Sequence, residues 1–350
     1  MRTQKGIVLL ATLWVLAILT MAAGFFSIWV ANMLETARSN QYIQQLAIDA
    51  YSTQSNLLYL FATQPLSTAG LTTIPPNLKE AVRAPNPFET PAEVTISGEE
   101  IRLDGRAYKG AGNTFFSIQD EGGLIGVRDL GATRNHLANL VVTMGVEQEN
   151  IAPMLDKLSD YIDSDDLTRL NGAEKDAYKE NSKAGPRNWS LTTSQELKQV
   201  MSWDVARLEN LSQLTSTSHS RNINFNFAPL DVLQAYPGFD TETAKKIISE
   251  RDKRPFNSVT DLVARSGRQI IADDFGSSFL PWKYQKISIW SQDSRQLYEI
   301  HIQLTPTSRQ GKPWILEYKL TLPRQNEPVI PDAQSTSTDI FATQVATDAG

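Results

Sequence analysis

Between Asp160 and Asp166 the chain reads Asp-Tyr-Ile-Asp-Ser-Asp-Asp, four carboxylates in seven residues, and Glu174 and Asp176 follow after a short loop. Over residues 147–180 ten carboxylates stand against Lys157, Arg169, Lys175 and Lys179, an excess as large as the net charge of −6 carried by the whole chain. Carboxylates so close together repel one another unless something positive sits among them. A hard cation such as Ca²⁺ takes about six to eight oxygens from carboxylates and carbonyls in a flexible loop. The helix–loop–helix calcium pattern is not met, because its glycine and its twelfth-position glutamate are missing in register. Spacing alone therefore leaves two readings open, a solvated acidic face and a cation-holding loop.

Other chemistries find less support. There is no cysteine, so disulfides, thiolate catalysis and Cys-ligated metal sites are excluded together. The three histidines, His136, His219 and His301, lie too far apart for a local metal motif and read as structural or surface residues. No Ser/His/Asp grouping or glycine-rich phosphate loop is present, and no base or phosphate clamp accompanies the aspartates. The chain reads as a non-enzyme. Its acidic balance argues against nucleic acid, which calls for a basic surface.

The elements that must carry this loop begin with residues 7–34, a run without a charged side chain that directly follows Arg2 and Lys5. At about 1.5 Å per residue such a helix outreaches the roughly 30 Å hydrocarbon core of a bilayer. The run is too long for a cleaved secretory signal. Helical spacing continues through Tyr42, Leu46, Ala50, Leu57, Leu58 and Phe61, which predicts one helix over 7–62, transmembrane over about 7–30 and stopped at Gln64-Pro65. Arg2 and Lys5 place the short end in the cytoplasm and the bulk of the chain outside.

Beyond a proline-rich loop with one helical turn at 78–82, alternation predicts strands at 93–97, 101–104 and 113–118, then at 286–290, 298–304 and 314–322, the last two joined as a hairpin across 307–311. Amphipathic helical segments fill the interval, with Ile151, Leu155, Leu158 and Ile162 on one side of the clearest. The expected fold is α+β: the first part of a head at 63–130, an inserted, mostly α-helical domain at 131–280, C-terminal strands of the head at 281–324, and a disordered tail at 325–350. Within the insertion, Asn222–Leu233, Pro237-Gly-Phe239, Thr241–Ile248 and Pro255–Leu262 resemble two helix–hairpin–helix units. From Pro229 to Arg265 six basic residues are balanced by six acidic ones, poor equipment for a phosphate backbone.

The leader Met1-Arg-Thr-Gln-Lys-Gly6 abutting the apolar run resembles the class III signal of type IV pilins and pseudopilins. That resemblance implies cleavage by a prepilin peptidase between Gly6 and Ile7, with methylation of the new amino end. The fifth mature position, usually glutamate, is Ala11 here, a departure shared by the large minor pseudopilin K of type II secretion. Asp160–Asp166, then Gly172-Ala-Glu-Lys-Asp-Ala-Tyr178, Pro186-Arg-Asn188 and Glu196–Val200 resemble the signature of that K family. By this resemblance the head is pilin-like and the acidic loop binds structural calcium, with Asp163, Asp165, Glu174 and Asp176 as first ligands and Asp160 and Asp166 as second.

The resemblance further implies a minor pseudopilin at the pseudopilus tip, initiating or capping assembly for export of folded proteins across the outer membrane. Its partners would be the I- and J-type minor pseudopilins, the major pseudopilin below, the inner-membrane assembly platform and the prepilin peptidase. A single-pass position in the bacterial inner membrane follows, with the bulk in the periplasm. The alternative is a pseudopilin-like DNA-uptake or type IV pilus minor subunit, which should carry a basic stripe.

Overall fold

The computed structural model describes residues 5–73, 96–204, 208–218, 223–268, 279–292, 294, 296–306, 311–324 and 339–341, with side chains from residue 8 onward. Helix α1 (Lys5–Thr63) is one uninterrupted element. Its first half is fully exposed, and it is long and apolar enough to cross a membrane. The Gln64 N–H still reaches Leu60 O at 2.8 Å, and Pro65 ends the helix. The final turns turn Leu57, Leu60 and Phe61 into the core of the head.

A two-strand ladder, β1 (Leu66–Ser67) and β2 (Gly70–Leu71), follows the helix. The head sheet begins with β3 (Asp104–Lys109) and β4 (Thr114–Asp120). The inserted domain comes next in the chain: β5 (Ile125–Gly126), α2 (Leu130–Thr143), α3 (Gln148–Ile162), α4 (Lys175–Glu180), α5 (Leu211–Leu214), β6 (Thr215–Ser216), α6 (Leu230–Gln234), α7 (Thr241–Lys253) and α8 (Val259–Ser266). The chain then returns to the sheet as β7 (Tyr284–Ser291), β8 (Gln296–Leu304) and β9 (Trp314–Pro323). The five strands lie in the order β3-β4-β7-β8-β9, antiparallel throughout.

Strands β4 and β7 pair without a break from Thr114↔Ser291 to Asp120↔Gln285, although the whole inserted domain lies between them in the chain. This register puts Phe116 and Ile118 beside Ile289 and Ile287 on the face covered by α1. The opposite face carries Lys286, Ser288, Glu299 and His301, and it too is buried. This polar face is the floor on which the inserted domain sits, with Gln213 bonded to Glu299 and Lys286.

The insertion has a core of its own, with Leu137, Leu155, Leu158, Trp203, Phe225 and Phe256 at its centre. Local signals set its helices: Asp129 accepts the Gly131 N–H at 2.9 Å, Asp240 accepts Thr243 N–H at 2.8 Å and Ser258 accepts Asp261 N–H at 3.1 Å. Helix α8 stops at Gly267, whose φ of 74° is left-handed. A second join to the head runs from β3 to α7, where Arg106 bonds Asp104 at 2.7 Å and Asp252 at 2.8 Å. Of the helix–hairpin–helix segment's basic residues, Arg251 is buried and donates to Phe225 O and Ala228 O, while Lys253, Arg254 and Arg265 pair with Glu250 and Asp261.

Several expectations are corrected. Residues 101–103 form no strand; Ile101 makes an isolated bridge to Leu71, and β3 starts only at Asp104. Residues 96–97 are likewise not a strand, and Glu196–Val200 is a 3₁₀ turn spanning Ser194–Gln199. The tail is not wholly without structure: Asp339–Phe341 form a 3₁₀ turn. Phe341 is buried beside Phe116 with ring centroids 5.0 Å apart, and Asn56 donates to Ile340 O at 2.6 Å. An aromatic side chain filling the gap between α1 and β4 outweighs the polar composition around it. The helical turn at 78–82, part of the strand at 93–97, residues 205–207, the hairpin turn at 307–310 and the rest of the tail lie outside the described residues.

Candidate functional site

The acidic loop leaves the inserted domain at the end of α3. The apolar stripe of that helix turns Leu155, Leu158 and Tyr161 inward, which carries Asp160 with them into full burial. A carboxylate taken out of water needs partners, and one residue supplies most of them. Arg169 Nη1 donates to Asp160 Oδ1 at 2.6 Å, its backbone N–H donates to Asp160 Oδ2 at 3.1 Å, and the same guanidinium bonds Asp163 Oδ2. These two carboxylates hold the Arg169 guanidinium well above its ordinary range.

Gly172 makes the fold of the loop possible. Its N–H donates to Arg169 O at 3.0 Å, and a Cβ at this position would lie 1.8 Å from Asp160 Oδ2. Asp165 Oδ1 accepts the Leu167 N–H at 2.9 Å in a local turn. Asp166 Oδ1 accepts Asn188 Nδ2 at 2.9 Å, and the Asn188 N–H returns to Tyr161 O at 3.1 Å. Asn188 has a φ of 51°, a left-handed conformation that asparagine tolerates better than most residues.

Glu174 stands at the start of α4 but does not cap it. It is buried, and neither carboxylate oxygen has a hydrogen-bond partner. Burial first, then the charges of Asp160, Asp163, Asp166 and Asp165, push its carboxyl up to about 7. Five of the six sequence-selected ligands, Asp160, Asp163, Asp165, Asp166 and Glu174, thus share one electrostatic neighbourhood. Asp176 is exposed on the first turn of α4. Among the described residues, no three Asp, Glu or His side chains converge as a ready-made metal shell. At the amino end, Gly6 and Ile7 lie within α1, and Ala11 is exposed on it.

Two family models, both described as Type II secretion system (T2SS), protein K, match residues 126–219 and 223–274. These two segments belong to the protein K family. Together they make up nearly all of the insertion in this K-type chain, with the acidic loop inside the first. No curated protein matches the chain. Among solved structures, the GspK-GspI-GspJ complex from the enterotoxigenic Escherichia coli Type 2 Secretion System aligns with a TM-score of 0.52 at 15% identity, covering 81% of this chain and 98% of that one. This likeness carries the fold, an N-terminal apolar helix with an antiparallel sheet and a helical domain. The K family is a structural component of a secretion system.

Calcium, which the K resemblance implies, can be tested against the donors this loop offers. Glu174 Oε1 and Oε2, Asp163 Oδ1 and Asn188 Oδ1 are all buried and without hydrogen-bond partners. All are oxygens, the donor type that a hard divalent cation takes. Unpaired buried acceptors in an anionic loop fit such an ion. Sequence reasoning gave no role to Arg169, Gly172 and Asn188, which organise the loop, Asn188 also turning an unpaired oxygen into it. The one usable signal was Arg169 itself, a lone cation between the two acidic clusters.

Proposed function

We propose that this K-type chain is a minor pseudopilin at the tip of a type II secretion pseudopilus, where it initiates or caps assembly for export of folded proteins across the outer membrane. The observation that carries the reading is the placement of a whole helical domain between two adjacent strands of a head borne on one long helix. A unit so bulky fits at the end of a filament more readily than between identical subunits. Ala11 agrees with that position. A carboxylate in lipid needs a partner, and a terminal subunit has none above it.

The apolar half of α1 anchors the chain once in the inner membrane, with Arg2 and Lys5 on the cytoplasmic side and the head and insertion in the periplasm. By likeness to the complex of GspK with GspI and GspJ, the partners are the I- and J-type minor pseudopilins; a tip position would put the major pseudopilin and the assembly platform below. The small residues Ala22, Ala23 and Gly24 let neighbouring helices approach closely, and a Cβ built on Gly24 meets nothing within 4 Å in the isolated chain.

Within the insertion, Asp163, Asp165, Glu174 and Asp176, with Asp160 and Asp166, would hold calcium, and Asn188 adds a neutral oxygen. The ion would supply positive charge to a loop that now relies on Arg169. Its role is structural, since an ion that binds only the folded loop stabilises the fold. The DNA-uptake alternative loses support from the basic residues of the hairpin segment, several of which are committed to contacts within the protein.

Processing provides the experiment. Mass spectrometry of the chain extracted from membranes that contain the prepilin peptidase should find an amino end at methylated Ile7. A chain that retains Met1 under the same conditions would reduce the protein to a tethered domain.

A further inference from the structure

The insertion and the head meet over a buried group of charges that the secretion role does not explain. His301 of β8 lies between two glutamates, with Nδ1 facing Glu121 Oε1 at 2.6 Å and Nε2 facing Glu299 Oε1 at 2.9 Å. Tyr318 of β9 stacks on the ring with centroids 4.0 Å apart. Each glutamate is also tied to the inserted domain: Ser216 of β6 donates to Glu121, and Gln213 of α5 donates to Glu299 at 3.3 Å. Lys286 of β7 donates to Gln213 Oε1 at 3.0 Å. All the charged members are buried.

With both carboxylates ionised, the proton count follows from hydrogen bonding. A neutral imidazole has one N–H and one lone pair, and an ionised carboxylate only accepts. Two contacts with two carboxylates therefore require both ring nitrogens to be protonated. With His301 as an imidazolium, Glu121 and Glu299 are balanced by His301 and Lys286. Without that proton, a net negative charge and a lone pair facing a carboxylate remain among largely buried side chains.

We propose that His301 is a proton-dependent latch, gripping Glu121 and Glu299 as an imidazolium and letting the inserted domain loosen from the sheet when its proton leaves. The proton has a route. A cleft of about 220 Å³ opens along the seam onto Glu121 and His301, walled by Arg128, Arg187 and Trp189 on the insertion and by Tyr284, Glu317 and Tyr318 on the head. Of these, Arg128, Arg187, Tyr284, Glu317 and Tyr318, with Glu299, Lys286 and the neighbouring Asp120, are the charged and titratable groups that face the latch.

The directions agree. Burial alone would lower the His301 pKa, but its bonds and charge interactions with Glu121 and Glu299 outweigh burial and raise it above 6.5. Burial likewise opposes ionisation of the two glutamates, and His301 reverses it, holding both below 4.5. A raised histidine contributes fully below its unfolded value and loses that contribution as pH climbs through the folded one. Lowered glutamates contribute above their unfolded value and lose it as pH falls. The latch therefore contributes its full stabilisation between about pH 5 and 6.5, and that contribution declines on either side.

With three histidines in the chain, ¹⁵N-histidine labelling of the full-length protein in detergent micelles gives three imidazoles to follow. One signal should titrate above the ordinary histidine value and vanish in His301→Gln, whereas His136, which burial lowers, should titrate below the ordinary range. Over the alkaline limb the wild-type melting temperature should fall by a few degrees, on the order of 3 °C per unit of pKa elevation, and the fall should be absent in His301→Gln. A His301 signal that titrates at or below the ordinary histidine value would overturn the latch, as would equal alkaline slopes in wild type and variant. If His301→Gln does not fold, His136→Asn and His219→Asn assign the third signal by elimination, and its titration alone decides.

Discussion

The carboxylate of Asp120, the last residue of β4, accepts the backbone N–H of Trp282 at 2.8 Å from a residue 162 positions further along the chain. The same carboxyl accepts from Gln285 Nε2 at 3.1 Å, Asn224 Nδ2 at 3.2 Å and Gly122 N at 3.3 Å. One side chain thus joins the place where the chain leaves the sheet to the place where it returns, and ties both to the insertion.

Removing this clasp should be costly. Asp120→Ala strands several buried donors, and hydrogen bonds to a charged group contribute about 1.5 to 3 kcal/mol each. A loss of about 3 kcal/mol in urea unfolding of the full chain is expected, and a loss below about 1 kcal/mol would show the clasp to be incidental. Burial pushes this carboxyl up to about 7. The folded state thus binds the proton more tightly than the unfolded state, so this group's contribution to stability declines as pH rises from about 4 to about 7. In Asp120→Asn that acid-side slope should flatten.

Gly172 offers a sharper test of the loop. A methyl group there must displace the Asp160 carboxylate from its bonds with Arg169. Gly172→Ala should lower stability by about 1 to 3 kcal/mol, the range for forcing extra volume into a packed site. Gly185→Ala, at an exposed glycine without a left-handed φ and whose added Cβ would meet only Lys175 Cγ at 3.8 Å, controls for the substitution itself. Melting curves of the two variants decide the matter, and equal curves would remove Gly172 from the account of the loop.

Calcium should raise the melting temperature of the full-length chain in detergent, and chelator should lower it. An ion present at about a hundred times its Kd adds about 2.7 kcal/mol to the folded state. Glu174→Gln should lose most of that response while keeping the fold, because the side chain has no protein partner to give up. A calcium response of undiminished size in Glu174→Gln would move the site elsewhere, and no response in wild type would remove it.

What was legible in the sequence divides along physical lines. The run from Ile7 to Leu34 needs only local chemistry to be read as a long helix, and the alternation at Lys286–Trp290 and Tyr298–Leu304 needs only the two-residue period of a strand. The acidic loop was visible as charge density, and Glu174 emerged among its buried members. Arg169 was not, because a single arginine in an acidic stretch reads as solvated until its two aspartates are seen to converge on it. His301 is opaque for the same reason, since Glu121 lies 180 positions away. Phe341 was hidden by the composition around it.

Phe341 therefore earns its own test. Phe341→Ala in the full chain opens a gap beside Phe116 and Leu57, and emptying a buried aromatic site costs about 3 to 5 kcal/mol. A loss near the lower figure is expected because the turn that carries Phe341 is short. An unchanged unfolding midpoint would mean that the tail merely rests on the head.

Assembly with unlike subunits is the claim from which the proposed role derives. The full-length chain, tagged and co-expressed with its I- and J-type minor pseudopilins, can be extracted in detergent, purified through its tag and sized. Co-elution of all three in fixed proportion is the expected result. Elution of this chain alone, while the I- and J-type subunits travel together without it, would contradict the role at its root.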